Sequence, residues 1–230
     1  LAAPAGPKIA IPKKHVIAVL ALFSLNLMYG LIRMTAKIEE LPVKISLVQG
    51  NVDPNLNWEK VKYEALGRLM FLSSKSRLED PDMIVWSETA VLEYIDYFSK
   101  NREKLAKDPY FAEYVKYTDA VLRAAEDLEC PLFTGASDIE KTYINNIPKY
   151  KYYNGAFLIS PNGRIAERYR KNHLVPFGEW FPYGKYFPFI DKLLESTIAG
   201  NFTPSFEKTV FTLPLSRRYT NRQGEVKDKI

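Results

Sequence analysis

The residue types best suited to chemistry gather in one stretch, Tyr169-Arg-Lys-Asn-His-Leu-Val-Pro-Phe-Gly-Glu179. It holds a cation (Lys171), an imidazole (His173) and a carboxylate (Glu179), interleaved with Leu174, Val175 and Phe177. Pro176 and Gly178 do not fit regular structure, so the backbone here must form a shaped loop. Apolar neighbours desolvate the charged groups, which is costly unless those groups are paired or used. A second carboxylate, Glu88, follows the short apolar run Met83-Ile-Val-Trp86. The C-terminal end of a strand is where α/β sheets carry working groups, and beside Trp86 a carboxylate is expected to act as a general base with a raised pKa. Taken singly, Glu88 also reads as a solvated strand end, and 169–179 as a basic loop plugging the edge of a core. Cys130 is the only thiol in the chain. It precedes Pro131 at a strand entry with no local His or Glu pattern, and reads as a buried structural cysteine.

The elements that must position these groups follow from periodicity. Val43 to Gly50 alternates and then runs apolar, and reads as a first buried strand. Asn51 to Asn57 is a polar loop containing Pro54, and Trp58 opens a helical stretch to about Ser76. Pro81 to Trp86 is a second strand, and two helical stretches are expected between Leu92 and Glu129, the latter with Tyr114, Tyr117, Val121 and Ala125 at helical spacing. Cys130 to Ala136 is a third strand, and Ile139 to Tyr152 reads as a polar, Tyr-rich surface loop. Tyr153–Ser160 and Gly163–Tyr169 form a hairpin through Pro161-Asn162-Gly163, a strong turn signal that aims Lys171 inward. The aromatic, Pro-rich stretch Trp180 to Ile190 and the helix-like Asp191 to Ile198 follow, and Glu207 to Pro214 reads as a last strand.

Composition bounds the whole. With 230 residues, 47% hydrophobic and 26% charged, the chain can bury one sizeable core with an appendage. A net charge of +5, with the basic residues scattered, gives no argument for nucleic acid. One cysteine excludes an intrachain disulfide and a multi-cysteine metal site. After a basic, Pro-rich flank (1–14), Val16 to Ile32 carries no charge at all. As a helix it rises roughly 25 Å, close to the hydrocarbon thickness of a bilayer, with Tyr29 and Arg33 as interface anchors. A transmembrane helix over 15–34 is the preferred reading, ahead of a signal-peptide core and a buried soluble helix.

Val48-Gln-Gly-Asn51, Trp58, Val85-Trp-Ser-Glu-Thr-Ala90, Tyr153-Asn154 and the 169–179 stretch together resemble the nitrilase-type domain of the apolipoprotein N-acyltransferase family. Trp-Ser-Glu-Thr-Ala is close to that family's usual Trp-Pro-Glu-Thr-Ala, and the extended Leu-Val-Pro-Phe-Gly-Glu run favours this branch of the nitrilase superfamily. The resemblance covers roughly 16–213. It implies an α/β fold, a nitrilase-type α-β-β-α sandwich over 43–214 preceded by the transmembrane helix. It implies a ping-pong acyl transfer in which Glu88 is the general base, Lys171 the oxyanion stabiliser and Glu179 a supporting acid, with Trp58 in the substrate region. Donor and acceptor would be a phospholipid and the N-terminal diacylglyceryl-cysteine of an apolipoprotein, without metal or organic cofactor. The setting would be the bacterial inner membrane, with the catalytic domain on the periplasmic side and 180–198 resembling the family's mobile loops above the site.

One departure stands out. In the family a further strand ends in the nucleophilic cysteine, followed by Tyr or Phe and Glu. Here 215–230 is polar and charged and contains no cysteine. The expectation is therefore a C-terminally incomplete sheet with a partly unpaired edge, and a chain inert without a supplied thiol. Two alternatives stay open: a nitrilase-superfamily amidase, which needs 16–32 to be a buried helix, and a non-catalytic membrane-anchored binding module.

Overall fold

The architecture comes from a computed structural model that describes residues 12–35, 43–53, 56–180, 202–213, 218–220 and 226–228. The chain divides into two units, 1–41 and 42–230. Among the described residues the first holds one helix, α1 (Lys13–Thr35), long and apolar enough to cross a membrane. None of its described residues is buried. Its 23 residues span about 35 Å, with Lys13, Lys14 and Arg33 confined to the ends.

The second unit is built on a five-stranded mixed sheet in the order β1-β2-β3-β4-β5. The strands are β1 (Ile45–Val48), β2 (Met83–Trp86), β3 (Leu132–Ile144), β4 (Ile147–Ile159) and β5 (Ile165–Arg170). β1, β2 and β3 run parallel; β3, β4 and β5 form an antiparallel meander. The crossover from β1 to β2 is α2 (Trp58–Arg77), and that from β2 to β3 contains α3 (Ile95–Lys100), α4 (Arg102–Leu105) and α5 (Ala112–Asp127). Parallel neighbours require such crossovers, which fixes an α/β layer arrangement. The expected pair of helical stretches is thus three helices, because a single turn, α4, intervenes.

One face of the sheet packs under α2 and α5. Leu66 and Leu69 of α2 and Tyr117, Val121 and Ala125 of α5 interlock with Ile84, Trp86, Leu132, Ala136, Phe157 and Ile159. The helical spacing read in α5 is therefore a core stripe. Trp86 is buried to 2% exposure and donates its indole N–H to Ser73 Oγ at 2.9 Å, so β2 is pinned beneath α2 just before Glu88. The other face carries a register-aligned apolar row, Leu47, Val85, Phe133 and Leu158. Leu158 is buried and Phe133 meets Phe211 edge-on at 4.9 Å, whereas Leu47 remains 80% exposed.

Two sequence expectations are corrected here. The segment 139–152 is no loop: β3 and β4 continue through it and turn at Asn145-Asn146, both with positive φ. Asn tolerates that conformation, and two consecutive positive φ values make the primed hairpin turn that suits strand twist. The signal was missed because the flanking residues are exposed on both faces, which erases the polar–apolar alternation. Glu207 to Leu213 forms no strand, although it is tied to β5 through Thr212 N–H to the Glu167 carboxylate and to the loop after β5 through Asn172 Nδ2 to Glu207 O. Within the polar tail, β6 (Arg218–Thr220) and β7 (Val226–Asp228) pair antiparallel as their own two-stranded sheet. The readings on 181–198 lie outside the described residues.

Candidate active site

β2 ends at Trp86, and the chain turns at once through Ser87, Glu88 and Thr89 before bridging back to the sheet at Val91, opposite Ala136 of β3. The turn lies flat on β3, and only a residue without a side chain allows this. A Cβ on Gly135 would stand 2.5 Å from Thr89 N and 2.8 Å from Glu88 Cα. Thr89 holds a positive φ of 56°, costly for a β-branched residue and a mark of a conformation imposed by its surroundings. Gly135→Ala is therefore expected to displace the Glu88 turn and cost about 1–3 kcal/mol, as overpacking does, read as a lower denaturation midpoint. An unchanged midpoint with Glu88 still within reach of Lys171 would contradict it.

On the neighbouring strands, Asn154 of β4 and Lys171, directly after β5, complete the floor; Lys171 N–H donates to Asn154 O at 2.8 Å. Beyond Lys171 the loop closes on itself. Glu179 N–H donates to Val175 O at 2.9 Å, and Val175 N–H donates back to Glu179 Oε2 at 2.7 Å. Phe177 sits at positive φ of 62° in this turn, and Ser205 N–H donates to Lys171 O at 3.0 Å. The shaped loop expected from Pro176 and Gly178 is thus a carboxylate clamp.

Three residues singled out in the sequence come together. Lys171 Nζ stands 2.9 Å from Glu88 Oε1 and 2.9 Å from Glu179 Oε1. Asn154, not among the sequence candidates, bridges the same two oxygens: its Nδ2 donates to Glu88 at 2.9 Å and to Glu179 at 2.7 Å. In the sequence Tyr153-Asn154 stands only as one of the segments that carry the family resemblance, with no role for the amide. His173 is exposed and makes no bond to this group among the described residues. Cys130 is buried at the far end of β3, its Sγ 3.5 Å from Pro81 O, in keeping with a structural thiol.

Trp58 does not reach the cluster. Its indole N–H donates to both oxygens of Glu93 at 3.0 Å, and its ring meets Tyr117 edge-on at 6.2 Å. Glu93 is buried and also pairs at 3.3 Å with Lys62. Trp58 forms a wall of a separate cavity of about 320 Å³ with Tyr94, Phe98, Phe111 and Tyr114.

The electrostatics correct one expectation. The Glu88 carboxyl lies below its ordinary value, not above it: Lys171 and Asn154 donate to its ionised form, and these bonds outweigh the burial that pushes the other way. The Glu88 side chain is 63% exposed, so burial desolvates it too little to win. Burial raises the Glu179 carboxyl, but the Val175 amide, Lys171 and Asn154 together hold it below the usual range. Burial also lowers Lys171, yet its two carboxylate partners leave it above the usual amine value.

The sign of the pH dependence follows. The depressed carboxyls contribute stability that is present above the ordinary value of 4.5 and lost as pH falls below it through their folded values. Lys171 contributes stability that is present below 10.5 and lost as pH rises above it through its folded value. Side-chain NMR of Glu88 and Lys171 is expected to show the cluster closed between those limits and opening only outside them. Opening near neutral pH would refute this.

Comparison with known proteins places these observations in context. Residues 44–203 match the sequence profile described as carbon-nitrogen hydrolase. The chain is 32% identical over 195 residues to the apolipoprotein N-acyltransferase of Geobacter metallireducens, covering 84% of this chain and 33% of that protein. It is 32% identical over 225 residues to the apolipoprotein N-acyltransferase of Chlorobaculum tepidum, covering 91% of this chain and 38% of that protein. The chain thus spans little more than a third of the length of these relatives. Among solved structures, a carbon-nitrogen hydrolase from Helicobacter pylori aligns at 18% identity and a TM-score of 0.38, over 71% of this chain and 45% of that one.

Proposed function

Because the chain belongs to the carbon-nitrogen hydrolase family, with more than half of its length in the matched span, we propose that it carries the base-and-cation half of an acyl-transfer site of the apolipoprotein N-acyltransferase kind. The observation that carries this reading is Lys171 held between Glu88 and Glu179 at 2.9 Å from each, with Asn154 fixing both carboxylates. Glu88 is the exposed member, ionised at neutral pH, and takes the proton of a thiol brought beside it. Lys171 remains charged and stabilises the oxyanion formed when the thiolate attacks a phospholipid ester. Glu179, tied to the Val175 amide, holds Lys171 in place. The tetrahedral oxyanion collapses by breaking the ester C–O bond, and the departing lysophospholipid oxygen takes the proton held by Glu88. Attack of an amine on the resulting thioester breaks the C–S bond, releases the thiolate and passes the amine proton to Glu88, which completes the transfer. The acceptor amine is the N-terminal diacylglyceryl-cysteine of an apolipoprotein, and Trp58 serves substrate binding through the cavity it walls, apart from the charged cluster. The helix α1 spans the bacterial inner membrane, with the globular unit on its periplasmic side.

Within these 230 residues the only thiol is Cys130, buried away from the cluster. We propose that the chain as it stands forms no thioester, and that a strand ending in cysteine restores the set. Incubation with radiolabelled phospholipid is expected to leave the chain unlabelled, whereas joining after residue 213 a strand that ends in cysteine followed by an aromatic residue and Glu is expected to give a hydroxylamine-labile acyl label. Labelling of the unaltered chain would overturn the first statement. No label on the well-folded joined protein would favour the binding-module reading.

A further inference from the structure

The β3–β4 hairpin outgrows the sheet that supports it. β2 pairs with β3 only at Leu132 and Phe133, and β5 pairs with β4 only between Gly155 and Ile159. Over 141–150 the two strands are therefore paired only with each other among the described residues. β3 runs parallel to β2, whose C-terminal end delivers Glu88, so this ribbon projects from the same end of the sheet as the carboxylate–lysine cluster. A bare two-stranded ribbon is marginal in water. This one also exposes large apolar groups: Tyr143 by 64%, Ile144 by 54%, Ile147 by 62% and Tyr150 by 44%. Between Lys141 and Lys151 every charged residue is a lysine. Lys141 Nζ lies 5.2 Å from the Tyr143 ring centre and 6.0 Å from that of Tyr150.

We propose that the 141–150 ribbon is a bilayer-contact element, seating Tyr143, Ile144, Ile147 and Tyr150 in the interfacial zone of an anionic phospholipid surface while Lys141, Lys149 and Lys151 meet its phosphates. Tyrosine favours that zone because its ring is apolar and its hydroxyl wet. Lysines at the same depth extend to the headgroups and gain from the negative surface potential. The charge pattern selects lipid over a second copy of the chain, since two such ribbons would set lysine against lysine. The inference rests on the membrane reading of α1.

The test uses the full chain with Cys130→Ala and a single Ile144→Cys carrying an environment-sensitive fluorophore. The protein is reconstituted in phosphatidylcholine–phosphatidylglycerol vesicles with a shallow spin-labelled quencher lipid. A matched Leu78→Cys label, at an 87% exposed position after α2, reports a surface held in water. Support is flotation with the vesicles together with a blue-shifted Ile144 label quenched several-fold more than the Leu78 label. Reversing Lys141, Lys149 and Lys151 to Glu is expected to bring that quenching down to the level in pure phosphatidylcholine. Flotation with a water-like Ile144 label overturns the ribbon proposal and leaves the membrane reading of α1 standing. Failure to float overturns both. A blue-shifted label without lipid quenching, in a crosslinkable dimer, assigns the ribbon to a second copy and overturns it, and quenching indifferent to the charge reversal overturns the choice of an anionic surface.

Discussion

Lys171→Met is expected to lower acyl transfer by the cysteine-joined protein about 10²–10³-fold, the usual cost of removing one donor to a developing oxyanion. The loss should fall on kcat and leave KM nearly unchanged, because the ammonium contributes mainly after charge has moved to the carbonyl oxygen. The same substitution has a second consequence that needs no catalysis. Glu88 Oε1 and Glu179 Oε1 both lie 2.9 Å from Lys171 Nζ and share the single Asn154 amide. Without the cation, like charges face each other, so both carboxyls should titrate at higher pH than in the parent chain. Carbon-13 NMR of the two side chains measures this directly. A parent-like titration, or a loss confined to KM, would mean that Lys171 does not serve both carboxylates and the oxyanion.

The largest expected loss of stability comes from a network beside the site. Arg170 Nε donates to Asp138 Oδ2 at 2.7 Å and its Nη1 to Glu140 at 3.0 Å, while the guanidinium stacks 4.1 Å from the Tyr153 ring centre. The Asp138 side chain is only 1% exposed and that of Arg170 only 6%. Breaking such a pair strands a buried charge, so Arg170→Leu is expected to cost about 3–5 kcal/mol, a large part of a typical domain's stability. Arg168 Nη1, 3.5 Å from Asp138, recovers a fraction of this. The double variant Arg170→Leu/Asp138→Leu should regain most of the loss, because no uncompensated charge remains. Denaturant unfolding of the three proteins separates these cases. A single variant within about 1 kcal/mol of the parent would show that water reaches Asp138. The network also ties the Tyr153 hydroxyl, pushed up to about 12 by burial and by its bond to Glu140, to the strand that carries Asn154. Loosening it should therefore blur the site as well as weaken the fold.

Local signals in the chain specified the elements and much of the site. Apolar runs closed by Gly, Pro or polar turns placed β1, β2 and the start of β3, and Pro161-Asn162-Gly163 placed the β4–β5 hairpin. The charge-free run 16–32 foretold α1, and helical spacing in 112–127 foretold its buried face. Lys171 and Glu88 were legible because each stood just past a predicted strand, and Glu179 because it closed a loop shaped by Pro176 and Gly178, where solvation changes abruptly. What the sequence could not settle was every property that depends on distance between segments far apart in the chain. Glu88 looked like a raised base beside Trp86, but its pKa is set by Lys171, 83 residues away, and that pairing exists only once β2 and β5 share one sheet. Asn154 became a site residue only because the register of β4 against β3 and β5 aims its amide between two carboxylates. Gly135 became indispensable only when the Glu88 turn was laid across it. Trp58, expected in the substrate region, donates its indole N–H to the buried carboxylate Glu93, a pairing between segments 35 residues apart that no local pattern announced. The length of the β3–β4 ribbon was hidden for a related reason: outside the sheet both of its faces meet solvent, so the sequence carries no alternation to read. Periodicity records which side of an element is buried; only the tertiary structure decides which charges meet.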